Sequence, residues 1–343
     1  MGDDQPRVTM AHGAGGRAMR SLIDEVFLGR FSGNTIVEAE DQARLDFDPL
    51  RKAGDRLAFT TDSFVVDPIF FPGGDLGKLA VTGTVNDLAV GGARPIALSC
   101  AVILEEGFLL SDLERITESM RLAADEAGVK IVTGDTKVVQ RGAADKIFIN
   151  TSGIGVIPEG LELSATVIRE GDVILVNSSM GEHGAAIMAA RGDLRLETEL
   201  QTDCRPLYPL VKALLDAAPN TRAVRDATRG GVATVLNEFA EAAGVGCFIE
   251  EACLPLKDEV RGLSEILGLD PLYLANEGLF VAVLPAEDSE AALAALRREI
   301  GGADACIIGD VRAGPKGRLV MTSLFGGDRL VDMLSGDQLP RIC

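Results

Sequence analysis

The sequence has no apolar run of membrane-spanning length. Stretches such as 101–104 and 278–284 fall far below the roughly 18 residues a helix needs to cross a bilayer, so no helical membrane span is expected. It is also short of cations, with 33 Lys and Arg against 52 Asp and Glu and a net charge of -19. Nucleic acids and anionic membrane surfaces are held by clustered Lys and Arg, and neither is an expected partner here. Asp3 and Asp4 open the chain where a secretory signal needs a basic start and an apolar core, so a cytoplasmic location is expected. The six cysteines form no C-x-x-C pair and there are only two histidines, which excludes a zinc site of common spacing. A chain of this size in that compartment does not call for a disulfide framework either.

What is present is an ordinary globular composition. A length of 343 residues with 47% hydrophobic and 25% charged residues fits about two domains with their own cores. In the first part, the loop His12-Gly13-Ala14-Gly15-Gly16 leads into helical spacing at Met19, Leu22, Ile23, Val26 and Phe27. Strands are expected at 43–47, 57–61, 96–104, 130–139 and 146–157. A small-residue helix is expected over 76–91, and a second helix after a Ser111/Glu114 capping box. Paired strands with two helices suggest an α+β unit of the split βαβ type. A Pro, Glu, Ser and Gly stretch over 158–171 reads as a linker to a second α+β unit, and the composition beyond Leu324 reads as a mobile tail. The expected units are therefore 1–157, 158–324 and a tail over 325–343.

Two standard phosphate motifs fail on inspection. Pro72-Gly73-Gly74-Asp75-Leu76-Gly77-Lys78-Leu79 imitates a P-loop but lacks its first Gly and its final hydroxyl residue, and the His12 to Gly16 loop is a poor dinucleotide fingerprint. That loop can still wrap a phosphate with its backbone N–H groups, or it can be a tight turn. More telling are aspartates at strand ends or beside Gly and Thr: Asp46, Asp62, Asp87 after Asn86, Asp135 and Asp226. Each alone could be a turn or cap residue. Together they suit magnesium, which binds through one or two carboxylates plus phosphate oxygens and water. Lys137 lies two residues after Asp135, on the same face of a strand, and Glu277 stands before a strand as a candidate base. His183 reads as a helix-start residue. The last residue, Cys343, resists a structural explanation, because an exposed terminal thiol invites oxidation unless it has a use.

These residues carry a resemblance. The His12 to Gly16 loop, Thr61-Asp62-Ser63-Phe64, the segment 70–78, Gly83-Thr84-Val85-Asn86-Asp87-Leu88, the segment 132–139, Thr228 to Gly231, Asn276-Glu277-Gly278 and the Pro340-Arg341-Ile342-Cys343 terminus are similar to the HypE family of carbamoyl dehydratases. That family lies within the AIR synthase-related, PurM-like superfamily. Ala227, Glu182 and Gly91 depart from the common pattern only in loops.

The resemblance implies a two-domain PurM-like α+β fold and a homodimer. It implies that a partner, HypF, places a carbamoyl group on Cys343, and that ATP is then used to dehydrate it to a thiocyanate. The cyano group is destined for iron held by a HypC–HypD complex. On this reading His12, Gly13, Gly15, Gly16, Asn86 and Lys137 contact the nucleotide, and Mg2+ sits on Asp62, Asp87, Asp135, Asp46 and Asp226. Lys137 and Glu277 would serve in deprotonation beside Cys343, or Lys137 would only bind phosphate. A related small-molecule kinase and a selenophosphate synthetase would keep the Asp and Gly sites, but the latter needs a thiol near the glycine loop, where this chain has none. A non-catalytic carrier would keep only Cys343.

Overall fold

The computed structural model describes residues 5–31, 42–191, 198–334, 336 and 341–342. The first half is built on a four-stranded sheet of β1 (Arg56–Phe64), β2 (Arg94–Glu105), β3 (Lys130–Val139) and β4 (Ile147–Ile157), in the order β1-β4-β2-β3. β1 and β2 are both antiparallel to β4, which lies between them, and β3 is parallel to β2. This is the split βαβ arrangement. Two helices, α1 (Leu76–Val90) and α2 (Leu110–Ala127), cover one face.

α1 is the central element, because its small residues allow close approach on every side. A Cβ on Gly77 would meet the Ile116 carbonyl at 2.2 Å, and one on Gly83 would meet the Phe64 ring at 2.6 Å. The helix is capped by Asp75, whose side chain accepts from Gly77 N at 2.8 Å and Lys78 N at 3.0 Å. The imitation P-loop is thus a helix cap. Along α1 only Lys78 and Asp87 escape full burial.

The second half is a seven-stranded sheet. It comprises β5 (Asp172–Val176), β6 (Ala223–Asp226), β7 (Gly246–Glu250), β8 (Phe280–Pro285), β9 (Cys306–Arg312), β10 (Arg318–Thr322) and β11 (Asp328–Val331), in the order β11-β10-β7-β9-β5-β8-β6. α3 (Glu182–Ala190), α4 (Tyr208–Ala217), α5 (Gly231–Ala243), α6 (Asp258–Leu267) and α7 (Ser289–Leu296) complete it. Alternating strand residues feed two cores, Ile174, Val176, Val281 and Val283 packing on α5, and Leu175, Phe280, Ala282 and Leu284 packing on α4 and α7. The main core of the first half also takes in Ala185, Ile187, Val260 and Leu263 from α3 and α6, so the two halves share a continuous junction.

Several local expectations change. No strand forms over 43–47; instead a helical turn runs Phe47–Ala53, where Pro49 is tolerated in the first turn and would break a ladder. α2 begins at Leu110 with Leu109 as its cap and no side-chain capping bond, so Ser111 is already inside the helix. Beyond Leu324, where composition suggested a mobile tail, β11 pairs with β10 across a turn with Gly326 at φ +80, and Val331 is buried. Farther on, Ile342 is 3% exposed and belongs to the main core. Burying such a side chain contributes about 1.5–3 kcal/mol over leaving it in water.

Candidate active site

Five carboxylates from five separate segments face the junction. Asp62 comes from β1, Asp87 from the last turns of α1, Asp203 from the loop before α4, Asp226 from the end of β6, and Glu277 from the segment before β8. Thr60 Oγ1 donates to Asp87 Oδ2 at 2.8 Å, and Ser63 N donates to Asp62 Oδ1 at 2.7 Å. Burial, followed by the charge of Asp62, raises Asp87 against the opposing bond from Thr60. Burial and then the Asp87 charge push Asp226 up to about 7. Glu277 is buried and held well above the ordinary carboxylate range, first by desolvation and then by Asp203, Asp226, Asp62 and Asp87. Burial, with like-charge repulsion added to it, therefore favours the protonated forms of Asp87, Asp226 and Glu277.

Two of the residues facing this junction are positioning groups. Asp203, also buried and pushed up to about 6 by that burial, accepts from Glu277 N at 3.0 Å and Gly278 N at 2.9 Å. Sequence reasoning missed Asp203, because nothing in the run Thr202-Asp203-Cys204 marks it. Asn86 donates to the carbonyls of Arg205 and Glu277 at 3.1 Å each and accepts from Leu207 N at 2.8 Å. Its amide is committed to backbone on three sides, so it locks the Glu277 segment to α1.

The remaining expected residues lie elsewhere in the chain. Across the first sheet, Ile103 stands beside Phe148 and Lys137, Ala101 beside Asn150 and Asp135, and Phe59 beside Ile154. Residues side by side in a ladder share a face, so Asp135 and Lys137 are on the face turned away from α1, whereas Asp62 shares the α1 face with Thr151. β1 and β3 are also opposite edges of the sheet, about 14 Å apart at normal strand spacing. One chain therefore does not bring Lys137 to Glu277, or Asp135 to Asp62 and Asp87. His12 Nδ1 accepts from Thr9 N at 2.9 Å, and a Cβ on Gly13 would strike Val138 Cβ at 2.8 Å. The glycine loop is thus seated against β3, near Lys137 and away from Asp226; Gly15 takes φ +75, and Gly16 has open space around it. Asp46 is an exposed residue before the Phe47–Ala53 turn and makes no side-chain cap. Cys343 lies outside the described residues.

The two residues before it are docked. Arg341 pairs with Asp145, and its carbonyl accepts from Arg191 Nη2 at 3.1 Å and Asp67 N at 3.3 Å. The Ile342 carbonyl lies 2.8 Å from His183 Nε2, and His183 Nδ1 lies 2.8 Å from Thr202 Oγ1. A carbonyl can only accept, so Nε2 carries the proton and Nδ1 accepts from the threonine hydroxyl. Burial pushes His183 down to about 4, which keeps it neutral.

Among the described residues no three His, Cys, Asp or Glu side chains form a metal cage. Magnesium needs none, since it uses one or two carboxylates with phosphate oxygens and water. Asp62 raises Asp87, and Asp87 and Asp62 both raise Asp226, so the three form a donor set whose repulsion a divalent cation would relieve.

Two family models match the chain, the AIR synthase related protein N-terminal domain over 39–157 and its C-terminal domain over 169–322. A carbamoyl dehydratase HypE from Rhodobacter capsulatus is 58% identical over 98% of each chain. A crystal structure of hydrogenase maturation protein HypE in complex with ATP superposes with a TM-score of 0.91 at 48% identity, covering 98% of this chain and 99% of that one. HypE in a crystal structure of a HypE–HypF complex gives a TM-score of 0.79 at 45% identity, over 92% of this chain and 100% of that one. With both domain models in sequence, the PurM-like α+β architecture in space and identity sustained from end to end, this chain belongs to the HypE family of carbamoyl dehydratases.

Proposed function

We propose that this chain uses ATP to dehydrate an S-carbamoyl group on Cys343 to a thiocyanate, the source of the cyanide ligands of the [NiFe]-hydrogenase iron. The observation that carries the reading is the docking of Arg341 and Ile342 beside the loop whose Asp203 fixes Glu277. The amide oxygen is a poor leaving group until it takes the γ-phosphoryl of ATP. The C–O bond then breaks with phosphate departing, two N–H protons leave, and ADP, phosphate and the S–C≡N group remain. Glu277, held above the ordinary carboxylate range by burial, would be a strong proton acceptor in its ionised form. Magnesium bound by Asp62, Asp87 and Asp226 would neutralise triphosphate charge, the main demand of phosphoryl transfer.

Lys137 and Asp135 enter this scheme from a second copy. Phe59 is 71% and Leu57 56% exposed on the outer face of the first sheet, with Ile103 at 42%, an apolar surface suited to an isologous homodimer. Residues 1–157 would then serve as the ATP-binding and dimerisation unit and 158–324, extended by β11, as the C-terminal α+β unit, with the acceptor Cys343 carried on the segment after β11. The nucleotide phosphates would lie between the acid junction of one copy and the His12 to Gly16 loop and Lys137 of the other. HypF is the proposed carbamoyl donor, supported by the HypE–HypF complex, and a HypC–HypD complex in the cytoplasm the acceptor. Intact-mass analysis after incubation with HypF, carbamoyl phosphate and ATP tests this. Gain of a carbamoyl group and then loss of one water on the peptide containing Cys343 is expected; a carbamoylated form that never loses water under ATP would overturn the reading.

A further inference from the structure

The carrier end is held by more than apolar packing. Cys204 N donates to Thr202 Oγ1 at 3.2 Å, the Thr202 hydroxyl donates to His183 Nδ1 at 2.8 Å, and His183 Nε2 donates to the Ile342 carbonyl at 2.8 Å. All three donors point the same way, so each bond polarises the next. The His183 ring is fully buried and fixed edge-on against Phe71 at 5.7 Å between centroids. Thr202 is itself tied down, its N–H donating to the Pro72 carbonyl at 3.0 Å. The next residue is Asp203, which grips the N–H groups of Glu277 and Gly278. The carbonyl one residue before the carrier thiol and the backbone of the candidate base are thus fastened to two adjacent residues of one short segment.

We infer that His183 and Thr202 are positioning residues that receive the carrier end for the dehydration step, setting the register between the carbamoylated terminus and Glu277. The receiver reads the Ile342 side chain and a main-chain carbonyl. It therefore holds the tail whatever group the thiol carries, so it competes with HypF for the unmodified tail and serves only the dehydration step. This rests on the function proposed above.

A single time course separates the two. Full-length protein, HypF, carbamoyl phosphate and ATP are mixed, and intact mass follows both the appearance of carbamoylated protein and its conversion to the dehydrated form. His183→Leu keeps an apolar side chain in the buried site but removes both ring nitrogens. It is expected to be carbamoylated at least as fast as wild type and dehydrated about tenfold more slowly, the equivalent of about 1.4 kcal/mol. His183→Gln, which can return an N–H donor at the distal position, should recover most of that loss, which a general packing defect would not show. Ile342→Ala changes only the penultimate residue and keeps the test open if His183→Leu does not fold; slower dehydration with carbamoylation at least as fast as wild type is expected there too. Dehydration at or above the wild-type rate in His183→Leu or Ile342→Ala overturns the inference, as does a defect confined to carbamoylation. Failure of wild-type protein to lose water overturns the function itself.

Discussion

The two faces of the first sheet carry opposite halves of the same proposed chemistry. Toward α1, Asp62 joins Asp87, Asp226 and Glu277 in a junction where burial and like charge raise the carboxylate pKa values. On the other face Asp135 and Lys137 stand in the open, Lys137 in one row with Ile103 and Phe148, and Asp135 in one row with Ala101 and Asn150. The inner face is finished by its own chain, through the Asn86 and Asp203 struts. Among the described residues the outer face presents exposed Leu57, Phe59 and Ile103 together with Asp135 and Lys137. The difference teaches that one chain folds in the acid half of the proposed site and leaves Asp135 and Lys137 exposed on the opposite face, where the proposed homodimer would have to supply them.

The largest expected effects come from separating the halves. Glu277→Gln should lower dehydration by about a hundredfold or more, as removal of a general base does, and Lys137→Ala should produce a comparable or smaller loss. If the halves meet across a dimer, mixing the two inactive proteins after dissociation should restore about a quarter of wild-type turnover, since half the reassorted dimers carry one intact site. Phe59→Asp should convert a dimer to a monomer in light scattering and abolish turnover with it. A wild-type protein that is monomeric and active breaks the comparison outright.

A smaller effect is expected from pH. Asp226 and Asp203 titrate in the folded protein near 7 and 6, above their unfolded values, so the native state binds more protons between those limits. Stability contributed by these groups is therefore present at about pH 4 and lost as the pH rises toward 7. The melting temperature without metal should fall across that window. Asp226→Asn should flatten the fall, as should saturating magnesium if the junction binds it; an unchanged slope in Asp226→Asn would show that the junction acids do not repel as described.

The smallest effect is expected at Asp46, which is exposed before a short helical turn and makes no side-chain cap. Asp46→Ala should change turnover by no more than about twofold, the range of ordinary surface substitutions. A hundredfold loss there would instead make Asp46 a member of the site.

Much of the fold was legible because period and punctuation are local. The alternation in 146–157, the helical spacing after Leu110 and the small residues of α1 each report their own burial pattern. The strand expected at 43–47 failed for the converse reason: its few apolar residues could satisfy either period, and Pro49 decided for a turn. β11 was hidden because four residues between glycine-rich segments carry too little pattern to outweigh their composition. In the site, Asp62, Asp87, Asp226 and Glu277 stood out by their places at strand ends or beside Gly and Thr. Asp203 and the receiver role of His183 did not, since each depends on a partner more than seventy positions away.

By itself the sequence determined the family, the α+β class, the Asp and Glu inventory and the terminal thiol, because residue types and short motifs are properties of the chain in one dimension. Tertiary structure alone decided how that inventory is divided. Side-chain direction alternates along a strand, and β1 and β3 meet only through the order of the sheet, so no spacing could reveal that Asp62 and Lys137 face opposite ways. The same holds for the link from Ile342 through His183 and Thr202 to the segment that holds Glu277, which exists only because packing brings four distant stretches of chain to one point.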